Sequence, residues 1–188
     1  MNHDVQDLVT QSLQELGRVL ESVDERSIVA MLRALRGARR IFTAGKGRSG
    51  LQMQAFAMRL MHLGLQTFFV DDVTTPGIRE GDLLLIGSGS GHTPSLVGYA
   101  QKAKSLGAEI ALITADQTSP IAAQADVVLL LSAPTPKVQR RITSQSIHPM
   151  GTLFEQALGI FSNLVILLLM EELDIDADEM FARHANLE

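Results

Sequence analysis

A chain of 188 residues and 20.4 kDa is long enough for one compact domain with a sizeable core, and short for two. Sixteen Lys and Arg against 21 Asp and Glu leave a net charge of −5, which offers no general attraction for nucleic acid or for an anionic membrane surface. The absence of Cys excludes disulfides, thiolate metal sites, Fe–S clusters and a Cys nucleophile, and it fits a cytoplasmic protein.

The first ten residues carry Asp4 and Asp7 and no apolar run, so they do not read as a signal peptide. Val5, Leu8, Val9, Leu13, Leu16, Val19 and Leu20 recur at helical spacing and predict an amphipathic first helix. A second follows Asp24 as N-cap, with Ile28, Met31, Leu32 and Leu35 on one face and Gly37 as its stop. Arg40–Ala44 reads as a short strand running into Gly45-Lys46-Gly47-Arg48-Ser49-Gly50, with a helix over 51–63 behind it, ended by Gly64. Strands follow at 66–70 and at Leu83–Gly87, the latter wholly apolar, as a strand buried on both faces of a parallel sheet should be. A second glycine-serine loop, Gly87-Ser88-Gly89-Ser90-Gly91-His92-Thr93, feeds a helix over 94–106 closed by Gly107. Strands at 109–114 and 126–131 flank a short helix starting at Pro120, and Ser132–His148 reads as a long loop. Pro149 sits where the first turn of a long helix to about residue 172 should begin. The apolar run of that helix, Leu164–Met170, is only seven residues. A membrane span needs about 20, so this is expected to be a buried helix. A short helix near 176–184 ends the chain.

Strands alternating with helices predict an α/β three-layer sandwich around a five-stranded parallel sheet. The expected organisation is a single domain: an N-terminal helical pair (1–37), an α/β core (38–132) and C-terminal helices (149–188).

Both glycine-serine loops follow a strand and open a helix, whose N-terminal N–H groups and positive dipole end suit a phosphate. In a 2-1-3-4-5 (flavodoxin-like) strand order, the loops after strands 1 and 3 become opposite walls of one crevice. Gly-Ser loops also serve merely to turn the chain. Gly45, Gly47 and Gly50 also satisfy the dinucleotide pattern G-x-G-x-x-G, with Asp71 and Asp72 about 20 residues on, but that reading leaves the second loop unexplained. A phosphate-binding NTPase loop is excluded, because Lys46 stands before the later glycines rather than in a terminal Gly-Lys-Ser/Thr.

Residues 44–50 with Phe56–His62, and then Ser88–Thr93, resemble the sugar isomerase (SIS) domain family. Pro149-Met150-Gly151-Thr152-Leu153-Phe154-Glu155-Gln156 and the terminal Arg183-His184-Ala185-Asn186-Leu187-Glu188 are similar to the 6-phospho-3-hexuloisomerase family within it. The resemblance spans essentially the whole chain. It implies interconversion of a 3-ketohexose 6-phosphate and fructose 6-phosphate in the ribulose monophosphate pathway of formaldehyde assimilation. It implies neither cofactor nor metal, and a homotetramer whose N-terminal helices help assembly. Phosphate-binding roles carry over to Ser49, Ser88 and Ser90 with Thr93 beside them, and Gly47, Arg48, Gly89, Gly91 and His92 complete the candidate loops. Glu155 takes the place of the family's proton acceptor. Lys46 replaces a small residue of the family pattern, His92 a Glu, and Asn163 a frequent Asp.

Moving a carbonyl from C3 to C2 requires removing the C2 proton and returning one to C3, through a 2,3-enediol, and a single positioned carboxylate can do both. Enediolate oxygens need donors, which loop amides can supply. Fructose 6-phosphate closes a five-membered ring through O5, so the reverse direction needs ring opening. His184 is the candidate for that proton transfer, in its own or a neighbouring subunit's site. Without the motif, Glu155 would read as a solvated acid of an early helical turn and His184 as a tail residue. Lys46 remains either an extra phosphate contact or a solvated charge, and His62 and His148 read as structural. Two other functions stay open: another SIS aldose–ketose phosphate isomerase (the arabinose 5-phosphate type), and a non-catalytic sugar-phosphate-binding regulator. The regulator would need a DNA-binding module, for which this length leaves no room.

Overall fold

A computed structural model describes residues 4–135 and 146–187. Two helices, α1 (Val5–Glu21) and α2 (Glu25–Gly37), precede the sheet. The side chain of Asp24 caps α2 by accepting from the Ser27 N–H at 3.0 Å. The sheet alternates with helices: β1 (Ile41–Gly45), α3 (Gly47–His62), β2 (Thr67–Phe69), β3 (Leu83–Gly87), α4 (Pro94–Ser105), β4 (Glu109–Thr114) and β5 (Val127–Leu130). A single 3-10 turn, Ala122–Gln124, stands where a short helix was expected. The long α5 (Thr152–Leu173) and the five-residue α6 (Ala177–Phe181) close the chain.

All neighbouring strands are parallel and run in the order β2-β1-β3-β4-β5, the flavodoxin-like order on which the pairing of the two glycine-serine loops depends. Alternation along each strand divides the core between two layers. Ile41, Leu83, Leu85, Ala111 and Ile113 face α2, α3 and α5, where Met31, Leu35, Phe56, Phe154 and Val165 pack. Phe42, Leu84, Ile86, Ile110 and Leu112 face α4 with Leu96 and Ala100. Each fully buried Leu, Ile or Phe contributes about 2 kcal/mol by leaving water.

Two boundaries differ from expectation. The helix α3 begins at Gly47, four residues early, so most of the first glycine loop is a helical turn rather than a loop. Conversely α5 begins at Thr152, with Pro149 in the turn before it and Met150 at φ 58°. Residues 136–145 of the expected loop, and Glu188 of the terminal motif, lie outside the described residues. Among the described helices, α5 alone is long and apolar enough to cross a membrane, but half of its apolar window is buried inside the protein against the core.

The end of the sheet opposite the strands' carboxyl ends is tied by Asp82, whose side chain is fully buried. Its Oδ1 accepts from Arg39 Nη2 at 2.9 Å, and its Oδ2 from Arg40 Nη2 at 2.5 Å and the Arg79 N–H at 2.9 Å. Burial pushes this carboxyl up, but the bonds from Arg40, Arg79 and Arg39 outweigh it and hold it below its ordinary 3.8. A depressed carboxyl contributes stability above its unfolded value and loses it as pH falls through the folded one. Asp82→Asn is therefore expected to cost about 3 kcal/mol at neutral pH. In thermal melts the gap to wild type should shrink below about pH 4; a gap independent of pH would remove Asp82 from this role.

Candidate active site

The adjacency of β1 and β3 puts Gly45 directly opposite Gly87, so both glycine segments leave the sheet side by side at its switch point. The first turns straight into α3. A Cβ on Gly50 would lie 2.9 Å from the Gly45 carbonyl oxygen, so glycine is required where strand end and helix touch. Lys46 and Thr93, the N-caps of α3 and α4, make no side-chain cap bond, so no cap side chain occupies the N–H groups at the start of either helix; in α4 these begin at Ser95, because Pro94 has none.

The second loop is braced from within. The Ser88 hydroxyl oxygen accepts from the Gly91 N–H at 3.2 Å, and that of Ser90 from the His92 N–H at 3.3 Å. Each serine therefore keeps its own proton to donate to a ligand. Thr114 Oγ1 and the Ala115 N–H both donate to the Gly89 carbonyl, anchoring the loop to the end of β4.

Between these segments and the start of α5 lies a cleft of about 240 Å³. Ser49, Ser88, Gly89, Ser90 and Thr93 line one wall, and Phe154 and Glu155 the other. A Cβ on Gly89 would come within 3.1 Å of the Phe154 ring, so α5 is pressed against the loop. The Glu155 carboxylate is 18% exposed and accepts a hydrogen bond from Arg48 Nε at the opening of α3. Because α5 starts late, Glu155 stands in its first turn, nearer the positive end of the helix than the sequence suggested.

Gly47 (φ 57°), Arg48, Gly91 (φ 61°) and His92 are not among the residues that line the cleft; Arg48 reaches it through its bond to Glu155, and Gly91 through its N–H on the Ser88 hydroxyl oxygen. His92 turns back, with Nδ1 2.5 Å from the Ser90 carbonyl oxygen and 4.0 Å from Asp116 Oδ2. Lys46 lines the cleft, but its ammonium donates to Asp71 Oδ2 at 2.8 Å and lies 3.4 Å from the Tyr99 hydroxyl, which itself donates to the other Asp71 oxygen. The bond to Asp71 raises the lysine and lowers the aspartate, so the two form a neutral pair that adds little net charge to the cleft.

Within one chain His184 is not brought to the cleft. Its ring lies 5.3 Å from that of buried His62, and Arg183 donates to the His62 carbonyl at 3.1 Å, pinning this segment to the far end of α3. At 1.5 Å per residue, that end stands roughly 20 Å from Ser49. Sequence reasoning missed Thr135, Met150, Gly151, Leu96 and Phe154 as cleft residues. The Pro-Met-Gly run before an apolar helix was the available signal for two of them. Among the described residues no group of three or more His, Asp or Glu is placed to hold a metal ion.

Residues 34–158 match the family model described as SIS domain. The chain is similar to the 3-hexulose-6-phosphate isomerase of Bacillus subtilis, at 43% identity over 180 residues covering 96% of this chain and 97% of that one. The enzyme of the same name from Mycobacterium gastri is 40% identical over 176 residues, covering 93% and 86%. A solved structure from Methanococcus jannaschii, for which a 3-hexulose-6-phosphate isomerase function was inferred, superposes with a TM-score of 0.83. That chain is 34% identical, with 97% of this chain and 99% of that one covered.

Proposed function

The chain belongs to the SIS domain family, and from that premise we propose that it is an isomerase interconverting D-arabino-hex-3-ulose 6-phosphate and D-fructose 6-phosphate through a 2,3-enediol. One observation carries the chemistry: among the described residues Glu155 is the one carboxylate that lines the cleft, together with Ser49 of α3 and Ser88 and Ser90 of the second loop. In this reading the phosphate is held by the hydroxyls of Ser49, Ser88 and Ser90 and by open N–H groups of the loops and helix starts. Thr93 stands beside them, and Gly47, Gly89 and Gly91 give the backbone its close approach. Arg48 orients Glu155, and His92 braces the loop that carries the serines.

Glu155 takes the C2 proton of the 3-ketose. The enediolate charge on O3 is met by loop donors, a proton returns to C3, and the hydroxyl proton passes from O2 to O3. The carbonyl then stands at C2, with no net gain or loss of atoms or electrons. His184 is proposed as the ring-opening acid for the reverse direction, contributed by a neighbouring copy, since its own chain holds it at the far end of α3.

The test is conversion of hex-3-ulose 6-phosphate to fructose 6-phosphate by the purified chain, alongside arabinose 5-phosphate. Turnover of the pentose phosphate in place of the hexulose would overturn the substrate assignment. We extend the proposal to a cytoplasmic homotetramer in the ribulose monophosphate pathway. Leu164 and Leu167 of α5, 42% and 60% exposed, and Val5 and Leu13 of α1, 69% and 64% exposed, supply apolar faces that assembly would cover. Light scattering is expected to return about four times the chain mass, and a monomer would refute the assembly.

A further inference from the structure

Glu15 lies in the middle of α1, an amphipathic helix, yet it is only 8% exposed. Both its carboxylate oxygens are committed to a segment 131 residues further along the chain. Oε2 accepts from the Ser146 hydroxyl at 2.5 Å, and Oε1 from the Ile147 N–H at 3.1 Å. The Ser146 oxygen in turn accepts from the His148 N–H at 3.0 Å. Residues 146–148 are thus clamped onto α1 immediately ahead of the turn that opens α5.

Among the described residues the turn itself adds one backbone bond, from the Thr152 N–H to the Pro149 carbonyl at 3.2 Å. Pro149 and Met150 are exposed, and Met150 adopts a left-handed φ of 58°, which costs a non-glycine residue about 1 kcal/mol or more. Met150 and Gly151 nevertheless line the cleft, and the Glu155 N–H is bonded to the Gly151 carbonyl at 3.1 Å. A buried carboxylate is an expensive way merely to pack α1, which Leu16 and Val19 already fasten to the core. Burial raises the Glu15 carboxyl, but the bonds from Ser146 and Ile147, with His148 and Arg18 nearby, bring it below its ordinary value. These are charge-assisted bonds.

We propose that Glu15 is a positioning residue for the isomerisation: by clamping Ser146 and Ile147 it fixes the entry of α5, and with it the carboxylate of Glu155, against the phosphate loops. The inference rests on the isomerase reading, in which Glu155 carries the proton. It also gives α1, which lies outside the matched SIS residues, a part in the chemistry.

The test uses the full chain with Glu15→Ala and Glu15→Gln, since Gln keeps an acceptor oxygen and Ala none. Glu15→Ala is expected to lower kcat at least about tenfold, with KM within about threefold because the loops are untouched, and Gln to recover part of the loss. Amide hydrogen exchange should speed up in peptides covering 146–155 and stay unchanged over 83–93. Unchanged exchange at 146–155, or an unchanged kcat per folded molecule, would overturn the proposal. Should Glu15→Ala fail to fold, Ser146→Ala cuts the clamp from the other side and is expected to lower kcat several-fold; a wild-type kcat there would overturn it equally. A wild-type chain that does not isomerise the hexulose phosphate defeats the functional reading instead, and the exchange measurement still decides the clamp.

Discussion

Glu155→Gln is expected to lower kcat by about a thousandfold or more, while sugar-phosphate binding survives. A positioned general base is worth about 10²–10⁴ in rate, and here one carboxylate performs both transfers. Gln is nearly isosteric, and its amide oxygen can still accept from Arg48, so the pairing that orients position 155 is kept. The substitution removes a negative charge from a cleft that receives an anion, so KM should not rise. Fructose 6-phosphate binding by calorimetry and loss of exchange of the C2 proton of hex-3-ulose 6-phosphate in deuterated water are the paired readouts. A variant that still exchanges the C2 proton at the wild-type rate would assign the proton transfer to another group. Glu155→Asp is the graded control: the charge is retained but set back by one methylene, and partial activity is expected.

How far the site could be read from the sequence depended on how local each signal was. The strands β3 and β4 were legible to the residue, because an uninterrupted apolar run bounded by Gly or a charged residue has few alternatives between helices. The pairing of the two loops followed from a strand order that the sequence leaves as an assumption and that the sheet has. The start of α3 was not legible. Glycine propensity argues against a helix at Gly47, whereas the contact of Gly50 with the Gly45 carbonyl makes a glycine-rich first turn the one that fits. Nor could the sequence show that Asp71 and Tyr99 occupy the Lys46 ammonium, or that Ser146 and Ile147 occupy Glu15, since these partners lie 25 to 132 residues away. For His184 the motif suggested chemistry, whereas its position within the chain is set by a ring contact with His62, just as distant in sequence.

The second large effect is expected at Gly91, where substitution strikes the loop through its backbone rather than its donors. A Cβ there would lie 2.0 Å from Ser119 Oγ and 2.4 Å from Ser119 Cβ, at a residue with φ 61°. Ser119 cannot yield easily: it is fully buried, and its Oγ accepts from the Ala122 N–H at 3.3 Å. The loop must therefore move, and with it the Gly91 N–H that holds the Ser88 hydroxyl oxygen. Gly91→Ala is expected to lower kcat/KM more than about a hundredfold and to destabilise the fold by about 2–3 kcal/mol. Ser88→Ala and Ser90→Ala leave the backbone in place. Each is expected to raise KM roughly tenfold or more with kcat nearly unchanged, as for a hydrogen bond to a charged group. The double variant Gly91→Ala with Ser119→Gly separates the causes. Removing Ser119 Cβ relieves the clash but not the left-handed φ, so stability and KM should recover in part. Full recovery would assign the whole effect to the clash, and none would assign it to the backbone angle. A Gly91→Ala enzyme whose KM stays within about threefold of wild type would mean that this loop does not hold the phosphate.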